Sequence, residues 1–250
     1  MPEGPAAVRA LRDRPLVPAV RSALDALLEG GVARGVEVLK PGHVHRVGPH
    51  VLKLYRRTRG RSLGLRGPRA RRPVQAHFQL QPVVSPEPVA WFALAHASYE
   101  SGLVYQHLEG ETLRSVWTDG RHAPLESLPG MLSTLLSRSH LHADLHWDNL
   151  LWTGAEWAVL DLDAVRSRLH SLRRVRVVES TWGRLVVDFS ASPEAERSFR
   201  AFVELERAAG RRPPDWRRVV ASAEARARQR VREGLTPFPD PERELSALRS

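Results

Sequence analysis

The sequence predicts an α+β fold in two lobes, and three observations predict it. As far as Leu108 most of the elements are apolar runs of strand length, cut by Gly and Pro. Beyond Leu128 the apolar residues recur at helical spacing instead. The order, mostly strands and then mostly helices, is that of α+β folds. A chain of 250 residues is long enough for one domain or a small two-lobed unit.

Each element has its own signal. Residues 17–29 carry apolar positions at helical spacing, and Gly30-Gly31 stops that helix. GVEVLKPGHVHRVGPHVLKLYRR then reads as a strand, a Gly/Pro turn and one or two further strands, ending at Tyr55. Arg56 to Arg72 holds eight arginines among glycines and a proline and reads as a loop. VQAHFQLQPV is a short helix, and VSPEPVAWFALA and SGLVYQHLEG are strands. LPGMLSTLLSRSH is a helix ending near His140, with Pro129 in its first turn and Met131, Leu132, Leu135 and Leu136 on one face. NLLW and WAVLDL flank TGAE as a hairpin. SPEAERSFRAFVELERAAG opens on a Ser192 cap followed by Pro193 and puts Phe199, Phe202 and Val203 on one face. PPDWRRVVASAEARARQRVREG is a basic amphipathic helix. There is no internal repeat.

Composition narrows the function. The formal charge is +10 and the pI about 11.1, so an anionic partner is favoured: nucleic acid, an anionic membrane surface, or a phosphorylated or carboxylated substrate. Of 38 basic residues only Lys40 and Lys53 are lysines, isoleucine is missing, and Asn149 is the single asparagine. A GC-rich genome explains that bias, which weakens the nucleic-acid inference and makes the surviving lysines and asparagine more informative. There is no cysteine, which rules out disulfides and thiolate chemistry and fits a reducing cytoplasm. The N-terminus has no apolar signal-peptide core, and no apolar run reaches the length of about 18 residues that a membrane span needs.

The chemistry concentrates in LHADLHWDNLLWTGAEWAVLDLDAVR, Leu141 to Arg166. A helix, a polar loop and a hairpin that returns Asp161 beside the loop would gather Asp144, Asn149 and Asp161. Two carboxylates and an amide oxygen are hard donors suited to Mg²⁺, and a remaining carboxylate can orient or deprotonate a hydroxyl. That is an inventory for phosphoryl transfer. The bland alternative is an Asx-rich turn with a strand-end cap.

HADLHWDN resembles the H-x-D-L-x-x-x-N catalytic loop of the protein-kinase-like superfamily, and LDLD, with Asp161 twelve residues beyond Asn149, sits where that family keeps D-F-G. The resemblance implies a two-lobed, reduced protein-kinase-like fold with an antiparallel-sheet N-lobe and a mostly helical C-lobe. It implies Asp144 as the base, with His142 in the same catalytic loop as its brace, and Asn149 and Asp161 as metal ligands. Lys53 in HVLKLYRR would grip phosphates, and backbone groups of Gln106, His107 and Leu108 in VYQHLEGETL would meet adenine at a hinge. Leu162 and Asp163 would stand for the phenylalanine and glycine. PGHVHRVG occupies the place of a glycine-rich loop in degenerate form. The cofactors implied are ATP and Mg²⁺, and the lobes divide as 1–105 and 106–250.

Within the superfamily, VLKLYRR, the Arg/Gly loop, SPEPVAW and LDLDAVR are similar to the bacterial lipopolysaccharide core-sugar (Kdo and heptose) kinases. That implies a lipopolysaccharide precursor as anionic acceptor and a monomer in the cytoplasm with peripheral contact at the inner membrane face; nucleic acid is not expected. DLHWDN also resembles the aminoglycoside- and choline-type kinases, and a protein Ser/Thr kinase is a further alternative. A non-catalytic pseudokinase or nucleic-acid-binding module is the reading of another class. It is motivated by one departure: the family pairs its strand lysine with a glutamate on the next helix, and no Asp or Glu occurs between Glu37 and Glu87. Gln75, His77 or Gln79 would have to serve instead. Arg56, Arg57, Arg59, Arg61, Arg66, Arg69, Arg71 and Arg72 read as a solvated loop or an acceptor clamp, as do Arg166, Arg168, Arg173, Arg174 and Arg176.

Overall fold

A computed structural model describes residues 4–31, 34–41, 43–57, 68–118, 126–137, 140–142, 144–167, 176, 178–183, 193–211 and 214–232. The protein is α+β, and its chain forms two compact units. The first comprises Met1–Gln81, Ser85–Glu109 and Asp161–Asp163; the second comprises Pro82–Val84, Gly110–Leu160 and Ala164–Ser250.

The first unit is built on a five-stranded sheet of β1 (Val36–Lys40), β2 (Val44–Val47), β3 (His50–Arg56), β4 (Pro88–Ala93) and β5 (Tyr99–Gln106), in the order β1-β2-β3-β5-β4. All four pairings are antiparallel. Strand β3 lies at the centre, and its alternation sends two apolar sets to opposite faces. Leu52 and Leu54 pack with Phe92 and Val104 against Val20, Ala23 and Leu24 of α2 (Pro18–Leu28). Tyr55 packs on the other face with Trp91, Leu103, Val8 of α1 (Gly4–Ala10) and Val74 of α3 (Arg71–Leu80). Each fully buried leucine of this kind contributes roughly 1.5–3 kcal/mol.

Helix α3 begins before the stretch that the sequence marked as helical. Pro73 sits in its first turn, where the missing N–H costs no helical bond, and the Ala70 N–H donates to the buried Ser101 hydroxyl. Gly102, on β5 opposite Phe92, has no room for a side chain: a Cβ there would lie 2.4 Å from the Phe92 ring. Gly102→Ala should therefore destabilise the protein by about 1–3 kcal/mol, seen as a lower urea midpoint with an unchanged slope.

Beside β4 the N-terminal segment completes the sheet. The Trp91 N–H donates to the Leu11 carbonyl at 2.9 Å, the Asp13 N–H donates to the Trp91 carbonyl at 2.8 Å, and the Trp91 indole donates to the Val8 carbonyl at 2.8 Å.

His45 on β2 is 3% exposed, and neither ring nitrogen has a hydrogen-bond partner among the described residues. Burial, then the charge of His43, lowers its pKa. A depressed folded pKa means stability is present above the unfolded value of about 6.5 and is lost as pH falls through the folded value. Urea midpoints measured from pH 8 to 4.5 should fall on the acid side. His45→Leu should flatten that limb and raise the midpoint at pH 7, since it removes unpaired buried nitrogens worth about 1–3 kcal/mol.

In the second unit, α5 (Leu128–Ser137) packs on α6 (Pro193–Ala208). Leu128, Leu132 and Leu135 are buried, as is Phe202, while Met131 and Val203 are half-buried. Helix α5 is described as far as Ser137, and His140–His142 is a strand, β7, paired with β10 (Val165–Ser167). The TGAE hairpin joins β8 (Leu150–Trp152) to β9 (Trp157–Val159), and the Thr153 hydroxyl donates to the Glu156 carbonyl. A two-residue strand, β6 (Glu111–Thr112), pairs with β8 and leads into α4 (Leu113–Thr118). Basic helix α7 spans Trp216–Arg232. Ser192, Arg59, Arg61, Arg66, Arg168, Arg173 and Arg174 lie outside the described residues. No described helix is long and apolar enough to cross a membrane.

Candidate functional site

In the first unit the central strand presents Lys53 and Tyr55 on one face, two residues apart. Opposite Lys53 on β5 is Leu103. The segment Asp161–Asp163 brings two carboxylates to this face. The Lys53 ammonium donates to Asp161 Oδ1 at 2.5 Å and forms an ion pair with Asp163 Oδ2. The Tyr55 hydroxyl donates to Asp163 Oδ1 at 3.0 Å, with Oδ2 at 3.2 Å. The Lys53 nitrogen lies 5.6 Å from the centre of the Tyr55 ring, and the Arg69 guanidinium sits over the same ring at 5.6 Å. Arg69 is thus packed on an aromatic face rather than simply solvated.

Asp161 adopts φ +51°, a left-handed conformation that most side chains avoid and that Asp and Asn tolerate best. Such strain persists where the surroundings enforce it, and it collects at functional sites. Asp161 is also the more open of the two acids, 38% exposed against 25% for Asp163.

An open pocket of about 360 Å³ adjoins this cluster. Tyr55, Leu103, Tyr105 and Leu162 supply apolar wall, as do three prolines, and Lys53 and Asp161 supply its charge. Burial alone would lower the Lys53 pKa, but the charges of Asp163 and Asp161 outweigh it, and the ammonium is held above its ordinary value. Burial, and then the neighbouring charge of Asp161, raise the Asp163 carboxyl above its ordinary value despite the opposing pull of Lys53 and the Tyr55 hydroxyl. Burial pushes Tyr105 up to about 12 and Tyr55 well above 10, with Asp163 adding to the latter. Both phenols therefore stay neutral donors at ordinary pH.

The helix after β3 does not supply the partner of Lys53. His77 is buried, and its Nδ1 lies 2.9 Å from the Ser85 hydroxyl; Gln79 is exposed and Gln75 half-buried. The expectation that a neutral residue replaces the helix glutamate is corrected: Lys53 has two carboxylates, both from LDLD. Asp163 and Tyr55 are the residues that the sequence reading missed. One signal was present. Lys53 and Tyr55 in LKLY, like Asp161 and Asp163 in LDLD, are spaced by two, which puts Lys53 and Tyr55 on one face of their strand.

At the predicted hinge, the Gln106 N–H donates to the Glu87 carbonyl and the His107 N–H to the Pro49 carbonyl, each at 2.8 Å. The His107 ring meets the Glu109 carboxylate at 3.1 Å. Two of the three backbone donors expected to face a base are thus already engaged, which narrows the expectation to carbonyl groups and the Leu108 N–H.

The second unit holds Asp144, Asn149, His142 and His146. The Asn149 amide nitrogen donates to the Asp144 carbonyl at 2.8 Å and to His146 Nε2 at 3.0 Å. The carbonyl can only accept, so it fixes which end of the amide is nitrogen. His146 also lies 3.5 Å from the Asp148 carboxylate. Asp144 is exposed and Asn149 is buried. His142 is 1% exposed and its Nε2 bonds the Leu160 carbonyl at 2.8 Å, so it braces the main chain just ahead of Asp161. Trp157 is buried and Trp152 half-buried, their rings 5.4 Å apart, which is packing. Among the described residues no three His, Cys, Asp or Glu side chains cluster as a metal site by themselves.

No protein-family model matches this sequence, and no curated protein matches it. Among solved structures the chain is similar to the bifunctional kinase-methyltransferase WbdD, with a TM-score of 0.43 at 15% identity over 68% of this chain and 42% of that one. Monomeric WbdD gives a TM-score of 0.44 at 17% identity over 66% and 41%. A further WbdD structure gives 0.43 at 15% over 86% and 48%, so this chain spans less than half the length of the structures it resembles.

Proposed function

We propose that the protein is an ATP- and Mg²⁺-dependent phosphotransferase that phosphorylates a hydroxyl group, with a reduced kinase-like fold. The observation that carries the reading is the hydrogen bond between Lys53 and Asp161, 108 residues apart in sequence. It joins the strand lysine to the first acid of LDLD, the two residues that the kinase resemblance assigns to phosphate and metal.

Each proposed metal ligand, taken by itself, has the chemistry that a hard divalent ion needs. Asp161 offers a partly exposed carboxylate. The Asn149 nitrogen is taken by Asp144 and His146, which leaves its amide oxygen for a ligand. Bound Mg²⁺ would neutralise phosphate charge and act as a Lewis acid. The chain's own contribution is positioning: Lys53 offers an ammonium to phosphate oxygens, Asp144 orients the acceptor hydroxyl, and His142 braces the Leu160 carbonyl. The open pocket beside Lys53 offers a largely apolar wall to a bound base. The acceptor we favour is anionic, a lipopolysaccharide core sugar reached at the cytoplasmic membrane face. The basic balance of the chain and the exposed Arg56, Arg57, Arg71 and Arg72 support an anionic acceptor.

Thermal-shift titration tests the reading. ATP and Mg²⁺ together should raise the melting temperature more than either alone. Asp144→Asn should keep that nucleotide-dependent shift and lose turnover. Equal loss of both would assign Asp144 a folding role. The second reading, a non-catalytic binder, is favoured by the absence of any acid on α3. Stabilisation by an oligonucleotide alone, falling steeply with salt, would support it.

A further inference from the structure

We infer that Asp163 is the positioning residue for Lys53, taking over the task for which α3 carries no acid. Its effect on turnover rests on the phosphotransferase reading; its hold on Lys53 does not.

Three observations lead there. Arg71–Leu80 contains no carboxylate, so an ammonium on β3 must find its counter-charge elsewhere. Lys53 meets two acids, and their settings differ. Asp161 is the more exposed, and it sits at the left-handed residue that follows Leu160. Asp163 is better shielded, and both of its oxygens lie within hydrogen-bond reach of the Tyr55 hydroxyl. Tyr55 is itself anchored, 3% exposed in the core with Trp91 and Leu103 and stacked under Arg69.

The result is a chain of constraint that runs from the core outward. The Tyr55 ring is fixed by packing, its hydroxyl fixes the Asp163 carboxylate, and the carboxylate fixes the ammonium. A ligand cation that engages Asp161 removes one of the two anions beside Lys53. Asp163 keeps the other in place, so the lysine stays extended toward the pocket instead of following Asp161.

The lysine content makes the test clean, because Lys40 and Lys53 are the only two in the protein. With ¹³C-lysine labelling, the full-length protein should give a split pair of Hε signals for the pinned Lys53 and one averaged signal for Lys40. Asp163→Asn should collapse the Lys53 splitting and leave Lys40 unchanged. Asp163→Glu should restore part of it, and Tyr55→Phe, which keeps the ring, should reduce it. Asp161→Asn should leave the splitting in place. In turnover, Asp163→Asn should lower kcat by at least about tenfold while the KM for ATP changes less than about threefold. Circular dichroism melts confirm that each variant is folded. The inference is overturned if Asp163→Asn leaves the Lys53 signals split, or if Asp161→Asn alone frees them. A Lys53 that loosens in Asp163→Asn, in a protein whose wild type transfers no phosphate, supports the positioning role and removes the phosphotransferase reading instead.

Discussion

Asp161→Asn should reduce phosphate transfer from ATP by roughly 10³-fold or more while the protein stays folded, because charge stabilisation by a bound metal supplies several kcal/mol. The amide is nearly the same shape as the carboxylate, and Asn tolerates the φ of +51° found at this position. Only the charge and its bond to Lys53 change. Asp161→Ala is a poorer probe. It also forces a Cβ-bearing residue with no polar side chain into the left-handed region, at a cost of about 1–3 kcal/mol, so loss of activity would mix chemistry with strain. The measurement is transfer from γ-labelled ATP beside a thermal melt. A variant that melts like the wild type and transfers at the same rate would remove Asp161 from the site.

Lys53→Met should cost about 2 kcal/mol of stability besides abolishing transfer. The reason is electrostatic. Lys53 stands between Asp161 and Asp163, and without it two carboxylates face one another with no cation between them. Breaking a fully buried pair costs about 3–5 kcal/mol, and the partial exposure of both acids reduces this. Adding Asp163→Asn to Lys53→Met should recover more than half of the loss, since it removes one of the two repelling charges. Urea titrations of the single and double variants read this directly. A double variant less stable than Lys53→Met would show that Asp163 serves the fold independently of Lys53.

Much of the fold was legible because it is local. HVLKLYRR is a short, mostly apolar run entered through a Gly/Pro turn, and it became the central strand; the Gly30-Gly31 stop ends α2 where periodicity ends it. The short elements were not legible. Gly4–Ala10 and Leu113–Thr118 are too brief to show a period, and neither was read as a helix. His140–His142 read as the end of a helix because its strand character comes only from pairing with Val165–Ser167, more than twenty residues away. The site divides along the same line. Lys53 and Asp161 carried motifs, so each could be named. The use of Asp163 could not be, since the kinase pattern that LDLD resembles has glycine at that position, and its contact is with a Tyr55 that sits 108 residues earlier. The missing helix acid was visible as an absence, but where the compensating charge sits depends on tertiary packing.

The parallel pairing of Arg12 with Trp91 bears on how this sheet avoids self-association. Strand β4 ends the five-strand order and would otherwise present a row of unpaired amides, an invitation to amyloid-like stacking. Val8, Leu11 and Asp13 seal that flank with two main-chain bonds and the indole bond to Val8. They act as a built-in guard, and a version trimmed to begin at Val36 would lose its colloidal protection together with the helix that roofs the sheet.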